Sequence, residues 1–340
     1  MTIRIAQLSS APDALAVPAW QRTLAAAVRD PAVLLARLDL DRALLPAARR
    51  AAARFGLLVP EPFLRRIRPG DPADPLLRQV LPLGEELDEV PGFGGDPVGD
   101  AAARRPGGVL HKYHGRALLV ATGACAVHCR YCFRRAFPYQ EANASADGWR
   151  DALDYLRANE EISEVILSGG DPLTLSDRRL SVLVERLDGI AHLGTLRIHT
   201  RLPVVVPERV DQRLLDWLSG TRLKTVVVIH ANHPNELDDE VGHALARLKR
   251  AGATLLNQAV LLRGVNDRVD TLAALSERLF ELDVLPYYLH VLDRVTGAAH
   301  FEVPEHEGRM LHDALTARLP GYLVPRLVRE EPGAPAKTRL

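Results

Sequence analysis

The sequence predicts an α/β fold: a partial (β/α)6-type barrel with a helical N-terminal region before it and a C-terminal tail after it. Three observations carry this prediction. First, six short apolar, β-branched runs follow one another: RALLVAT (116–122), EVILS (164–168), TLRIHT (195–200), KTVVVIH (224–230), ATLLNQAVLL (253–262) and LPYYLHVL (285–292). Second, amphipathic stretches such as SDRRLSVLVERLDG, DDEVGHALARLKRAG and RVDTLAALSERLFELD separate these runs, so the strands must run parallel with helices packed outside them. Third, apolar residues recur every three or four positions from Pro18 to Arg68, in stretches broken by prolines, as short helices require.

Each region follows from these patterns. Residues 69–108 are rich in Pro, Gly and Asp and read as an irregular connection lying across the next unit. The expected division is a helical region and connection over 1–100, the barrel core over 101–300, and a C-terminal segment over 301–340. A doubly wound open sheet is the architectural rival. A barrel gathers its active groups at the C-terminal ends of the strands and in the loops that follow them.

Composition narrows the function. The chain has 340 residues, 47% of them hydrophobic and 25% charged, as in ordinary globular proteins. Forty-three basic residues balance forty-three acidic ones, which argues against nucleic acid or a membrane surface as the partner and for a small substrate. No apolar run is long enough to span a bilayer, and the first 22 residues lack a basic segment followed by an apolar one, so a cytoplasmic location is expected. The only lysines are Lys112, Lys224, Lys249 and Lys337, which limits any covalent lysine chemistry to four positions.

The three cysteines all fall in TGACAVHCRYCFRRAFPY, directly after the first strand. Cys125, Cys129 and Cys132 form a CxxxCxxC triad, too clustered for a disulfide framework. Three thiolates on an iron–sulfur cube leave one iron open to another ligand. Structural zinc prefers four closed ligands and CxxC pairs, so the count and spacing favour a [4Fe-4S] cluster. After the second strand comes Ser168-Gly169-Gly170-Asp171-Pro172, which alone reads as an ordinary turn. Lys337, in the Gly/Pro-rich ending LVREEPGAPAKTRL, is either a solvated tail residue or an uncrowded amine able to form a Schiff base with a carbonyl cofactor.

CxxxCxxC followed by an aromatic residue resembles the radical S-adenosylmethionine (SAM) superfamily, which implies S-adenosyl-L-methionine on the open iron. The resemblance places SAM against Ser168, Gly169, Gly170 and Asp171, and also near Arg201, His230 and Gln258. HKYHGRALL, CxxxCRYCFRR, LSGGDPL, TRLPVVVPERV, HANHPNE, LLNQAVLLRGVND, LPYYLHVLDRVTGAAHF and the closing PGxxxKT extend the resemblance to the lysine 2,3-aminomutases, over nearly the whole chain. That family also uses pyridoxal 5′-phosphate (PLP). DPLLRQVLP, GYLVPRLVRE and the short C-terminus look closest to the bacterial branch making (R)-β-lysine for elongation factor P.

The resemblance implies conversion of L-α-lysine to β-lysine by a 5′-deoxyadenosyl radical and a PLP aldimine. It places the PLP attachment on Lys337, with Arg116 and Asn257 near that cofactor. Arg134 matches the residue that pairs with the substrate carboxylate, as a planar guanidinium fork suits. Asp293 and Glu330 match the acids that hold the distant ammonium, with Glu330 standing where clostridial relatives have aspartate. The partners implied are L-lysine, an external one-electron donor, and a functional link to elongation factor P and its lysine ligase. A homodimer is one arrangement open to the chain. The zinc-binding cysteines of clostridial relatives have no counterpart, since Arg268 stands at one such position and no cysteine is spare. The alternatives are an aminomutase acting on glutamate or arginine, or a non-enzymatic iron–sulfur protein.

Overall fold

A computed structural model describes residues 17–139 and 149–340. Residues 1–16, on which most of the leader argument rests, lie outside them. The strands are β1 (Arg104–Arg105), β2 (Val109–Tyr113), β3 (Arg116–Thr122), β4 (Glu164–Gly169), β5 (Thr195–Thr200), β6 (Lys224–Ile229), β7 (Thr254–Val260), β8 (Leu285–His290), β9 (Arg326–Arg329) and β10 (Thr338–Arg339). They pair in sequence order in one sheet. From β3 to β9 every pairing is parallel, while β1 and β2 on one edge and β10 on the other add antiparallel strands.

The two-residue period of a strand sends alternate side chains to opposite faces. Along β5, Leu196 and Ile198 are buried outward while Arg197 and His199 turn inward. Residues from β3, β4, β5, β7 and β8 line one common cavity, so the sheet curls into an open barrel. The helices cover its outside through apolar stripes at helical spacing. Asp177–Asp188 buries Leu180, Leu183, Val184 and Leu187, and Asp239–Arg250 buries Val241, Ala244, Leu245 and Leu248. Each such leucine contributes roughly 1.5–3 kcal/mol of transfer free energy. The second helix starts where the Asp238 carboxylate accepts from Val241 N at 2.9 Å.

The N-terminal helices Ala19–Ala25, Pro31–Arg37 and Leu45–Arg54 pack against the barrel. Trp20 is buried with the Arg209 guanidinium 4.5 Å from its ring, and Thr23 Oγ1 donates to Glu208 at 2.6 Å. Among the described residues no helix is long and apolar enough to cross a membrane.

The elements that were not expected include a helix and two strands. The helix Glu305–Arg318 buries only Gly308 and Leu315, so it shows almost no apolar stripe. The four-residue β9 joins β8 in parallel, adding a strand from the C-terminal segment to the barrel sheet. The antiparallel β2 precedes the first expected strand. The fifth and sixth expected runs also overshoot, since β7 ends at Val260 and β8 at His290.

Candidate active site

The inward faces and the loops after the strands enclose a cavity of about 450 Å³, within the range that buries small ligands. Cys125, Cys129 and Cys132 line one part of it, Lys337 another, and Arg134, Asp293 and Glu330 lie on the same wall system.

The cysteine loop is held by unusually close backbone contacts. Gly169 has φ +122°, and a Cβ there would stand 2.4 Å from Thr122 O. A Cβ on Gly170 would stand 2.3 Å from Ala124 O, one residue before Cys125. Only glycine lets β4 approach the loop this way, and the backbone bonds Gly170 N to Thr122 O and Asp171 N to Ala124 O, both 2.7 Å, fasten it. The Asp171 carboxylate is fully engaged elsewhere: it accepts from Thr200 Oγ1 (2.8 Å), Leu173 N (3.0 Å), Arg201 N (2.7 Å) and Leu202 N (3.1 Å). It ties β4 to β5, and what this segment offers a ligand is glycine backbone rather than a free acid. Burial pushes the Cys125 thiol well up, and burial with the neighbouring Cys129 pushes Cys132 up to about 11.

Across the cavity runs a chain of alternating charges. Lys337 Nζ donates to Glu330 Oε2 at 2.6 Å, and Glu330 Oε1 accepts from Lys112 Nζ at 2.8 Å. Lys112 Nζ lies 2.6 Å from Asp100 Oδ1, a charge contact rather than an aligned hydrogen bond. Asp100 Oδ2 accepts from Arg134 Nε at 2.8 Å, and Arg134 Nη1 donates to Ser168 Oγ at 3.2 Å. Neither Arg134 bond uses Nη2. Burial would raise the Glu330 carboxyl, but Lys337 and Lys112 outweigh it and hold the group at about 2. Lys337 is no swinging tail residue: β10 pairs with β9 so that Thr338 faces Arg329, which sets Lys337 opposite Glu330.

Asp293 is different. It lies three residues beyond the end of β8 rather than at its tip, and its carboxylate makes no hydrogen bond or ion pair among the described residues. Burial, reinforced by nearby Glu330, pushes it up to about 7. The cavity floor is neutral: burial drives His199 and His290 well down and His230 down to about 3. Gln258 contacts His230 (Nε2 to Nε2, 2.9 Å). Among the described residues His199 Nε2 and His290 Nε2 have no partner. Among the described residues Arg116 has no carboxylate within ion-pair reach, and it lies 4.6 Å from the Tyr113 ring.

Residues 119–275 match the family model of the radical SAM superfamily. The chain is 49% identical to the L-lysine 2,3-aminomutase of Escherichia coli K12, over 94% of each chain. It is 47% identical to that of Haemophilus influenzae, again over 94% of each.

The chain belongs to the L-lysine 2,3-aminomutase family.

Likeness to the Clostridium subterminale L-lysine 2,3-aminomutase is lower, 36% identity over 81% of this chain and 66% of that one. Membership of this aminomutase family makes the chain a radical SAM isomerase whose cofactors are a [4Fe-4S] cluster, SAM and PLP. The donor sets present fit these groups. Three thiols converge on one loop with no fourth cysteine among the described residues, and the orphaned imidazole nitrogens face the same cavity. A lysine amine and an uncompensated guanidinium suit a phosphorylated carbonyl compound.

Among the residues singled out from sequence, the structure brings all but one to this cavity. Asn257 is the exception. Its neighbour Gln258 takes the inward position on β7, so Asn257 points outward, where its amide bonds Ala231 N at 2.9 Å and Ala231 O at 3.1 Å. Glu330 is reached by two lysines rather than standing open for a substrate ammonium. Asp100 and Lys112 were missed. Their spacing carries no motif, and only the isolated lysine count pointed at Lys112.

Proposed function

We propose that the protein converts L-lysine to β-lysine, and the observation that carries this is the unpaired Asp293 carboxylate in the cavity that also holds the cysteine triad and Lys337. A substrate amino acid with a cationic tail neutralises that acid. Glutamate would set a second carboxylate against it. Arginine carries the right charge on a longer, planar group.

Arg134, aimed by Asp100 and Ser168, orients the substrate carboxylate through donors those contacts leave over. Asp293 takes the side-chain ammonium at the other end. Two anchors at fixed separation hold the carbons between them in place, and the buried neutral histidines exclude competing charge and water. Glu330 bridges Lys337 and Lys112, and so keeps the amine destined for PLP at the cavity wall. When bound, the cluster with SAM supplies a carbon-centred radical, and PLP supplies a ring that delocalises an unpaired electron. Gly169 and Gly170 let the cluster loop approach the SAM position, while His230, Gln258 and Arg116 complete the cavity wall.

On this account the product is (R)-β-lysine, passed to elongation factor P by a separate ligase; the support for these finer points is the resemblance of DPLLRQVLP and GYLVPRLVRE to the branch that makes it. The test is anaerobic incubation of cluster-reconstituted protein with SAM, PLP and dithionite plus lysine, glutamate or arginine in turn. The expected outcome is a β-isomer from lysine alone, with the (R) form after chiral derivatisation. Cleavage of SAM with no β-lysine would remove the substrate assignment.

A further inference from the structure

Arg201 follows β5 directly and is 5% exposed. Its family match set it beside SAM, yet most of its donors are occupied by protein. Nη1 lies 2.7 Å from both Cys129 Sγ and the Tyr131 hydroxyl. Nη2 donates to Gln79 Oε1 at 2.7 Å and Glu236 Oε2 at 2.8 Å. Among the described residues Nε alone has no partner. The group cannot swing: the Phe63 and Tyr131 rings flank it at 5.4 and 5.7 Å, and its partners are themselves fixed. Asn232 Nδ2 donates to Tyr131 Oη at 2.7 Å, and Glu236, fully buried, also accepts from Asn232 N at 2.8 Å and His233 N at 3.1 Å.

We propose that Arg201 is a positioning residue that sets the reduction potential of the cluster through its hydrogen bond to the Cys129 sulfur, with Glu236 as the counter-charge that limits the effect. In the loaded protein that sulfur is a cluster thiolate. The reduced cluster carries one more electron than the oxidised one, so a fixed cation donating to its sulfur stabilises the reduced form more. The electron comes from an external one-electron reductant, and no bond in the protein is made or broken. Glu236, on the far side of the same guanidinium, opposes that field. The inference needs the cluster but not lysine as substrate, so failure of the substrate assignment would leave it standing.

The two residues therefore predict shifts of opposite sign. Dithionite-poised potentiometric titration, followed by the electron paramagnetic resonance signal of the reduced cluster, reads them directly. Arg201→Gln should lower the ratio of reduced to oxidised cluster at a fixed potential about tenfold, a shift of about 59 mV to more negative values for one electron. Glu236→Gln should move the potential the other way, and Arg201→Lys, which keeps the charge but not the fork, should shift it less than Arg201→Gln. Potentials unchanged in cluster-loaded variants, or both glutamine variants shifting in one direction, would overturn the proposal. If Arg201→Gln fails to load a cluster, the sign of the Glu236→Gln shift decides.

Discussion

Glu330 Oε2 lies 2.6 Å from Lys337 Nζ, in a register fixed by the β9–β10 hairpin. The same carboxylate binds Lys112, so one acid bridges two ammonium groups, with Asp100 as the second counter-charge on Lys112.

Removing that acid leaves two cations with no shared counter-ion. Glu330→Gln should destabilise the cofactor-free protein by on the order of 2 kcal/mol at neutral pH, and Glu330→Asp by less. The sign with pH follows from the depressed carboxyl: its contribution is complete above the ordinary value of 4.5 and is lost as pH falls towards about 2. Denaturant melts of wild type and Glu330→Gln should thus converge at low pH. A constant difference down to pH 2 would contradict this.

Lys337→Ala should retain the broad cluster absorption, lose the PLP imine band at the edge of the visible, and give no β-lysine. Absorption spectra of protein reconstituted with and without PLP check this. Normal turnover in the variant would place the PLP amine elsewhere, at one of the three remaining lysines.

Asp293 makes a trade of stability against binding. Its carboxyl, raised to about 7, stabilises the protein only while protonated, and that contribution is lost as pH rises from about 4 towards 7. Asp293→Asn should therefore be more stable than wild type at pH 8, by ~1 kcal/mol or more after allowing for solvent in the cavity. It should also bind lysine at least tenfold more weakly there. In the wild type, KM for lysine should rise as pH falls below about 7, because the carboxyl must then lose a proton to meet the ammonium. A flat KM between pH 6 and 8.5 would separate Asp293 from substrate binding.

Gly170→Ala should fail to load the cluster, since its Cβ would press on the Ala124 carbonyl at 2.3 Å and displace Cys125. Iron and sulfide assays of reconstituted protein measure this. Full loading would show that the loop yields.

The barrel was legible because its strands are continuous apolar, β-branched runs and its helices bury clear stripes such as Leu180, Leu183 and Leu187. Arg326–Arg329 escaped notice because two of its four residues are arginines, and Glu305–Arg318 because its partner surface is small. Within the site, motif residues were visible since chemistry fixes their spacing. Asp100 was not: it lies in a Pro/Gly/Asp-rich stretch where acids usually serve turns, and its partners Lys112 and Arg134 are joined to it by tertiary packing. Asn257 shows the reverse error. At this point of β7 Gln258 lines the cavity, while the Asn257 amide is taken up by the Ala231 backbone.

Hydrogen transfer tests the central claim, that the cysteine triad and Lys337 act together on lysine in one cavity. Protein reconstituted with cluster and PLP is incubated anaerobically with SAM, dithionite and lysine deuterated at C3, and both products are analysed by mass. The account predicts β-lysine together with deuterium in the 5′-position of recovered SAM or 5′-deoxyadenosine. SAM cleaved without label, with lysine returned unchanged, would contradict it.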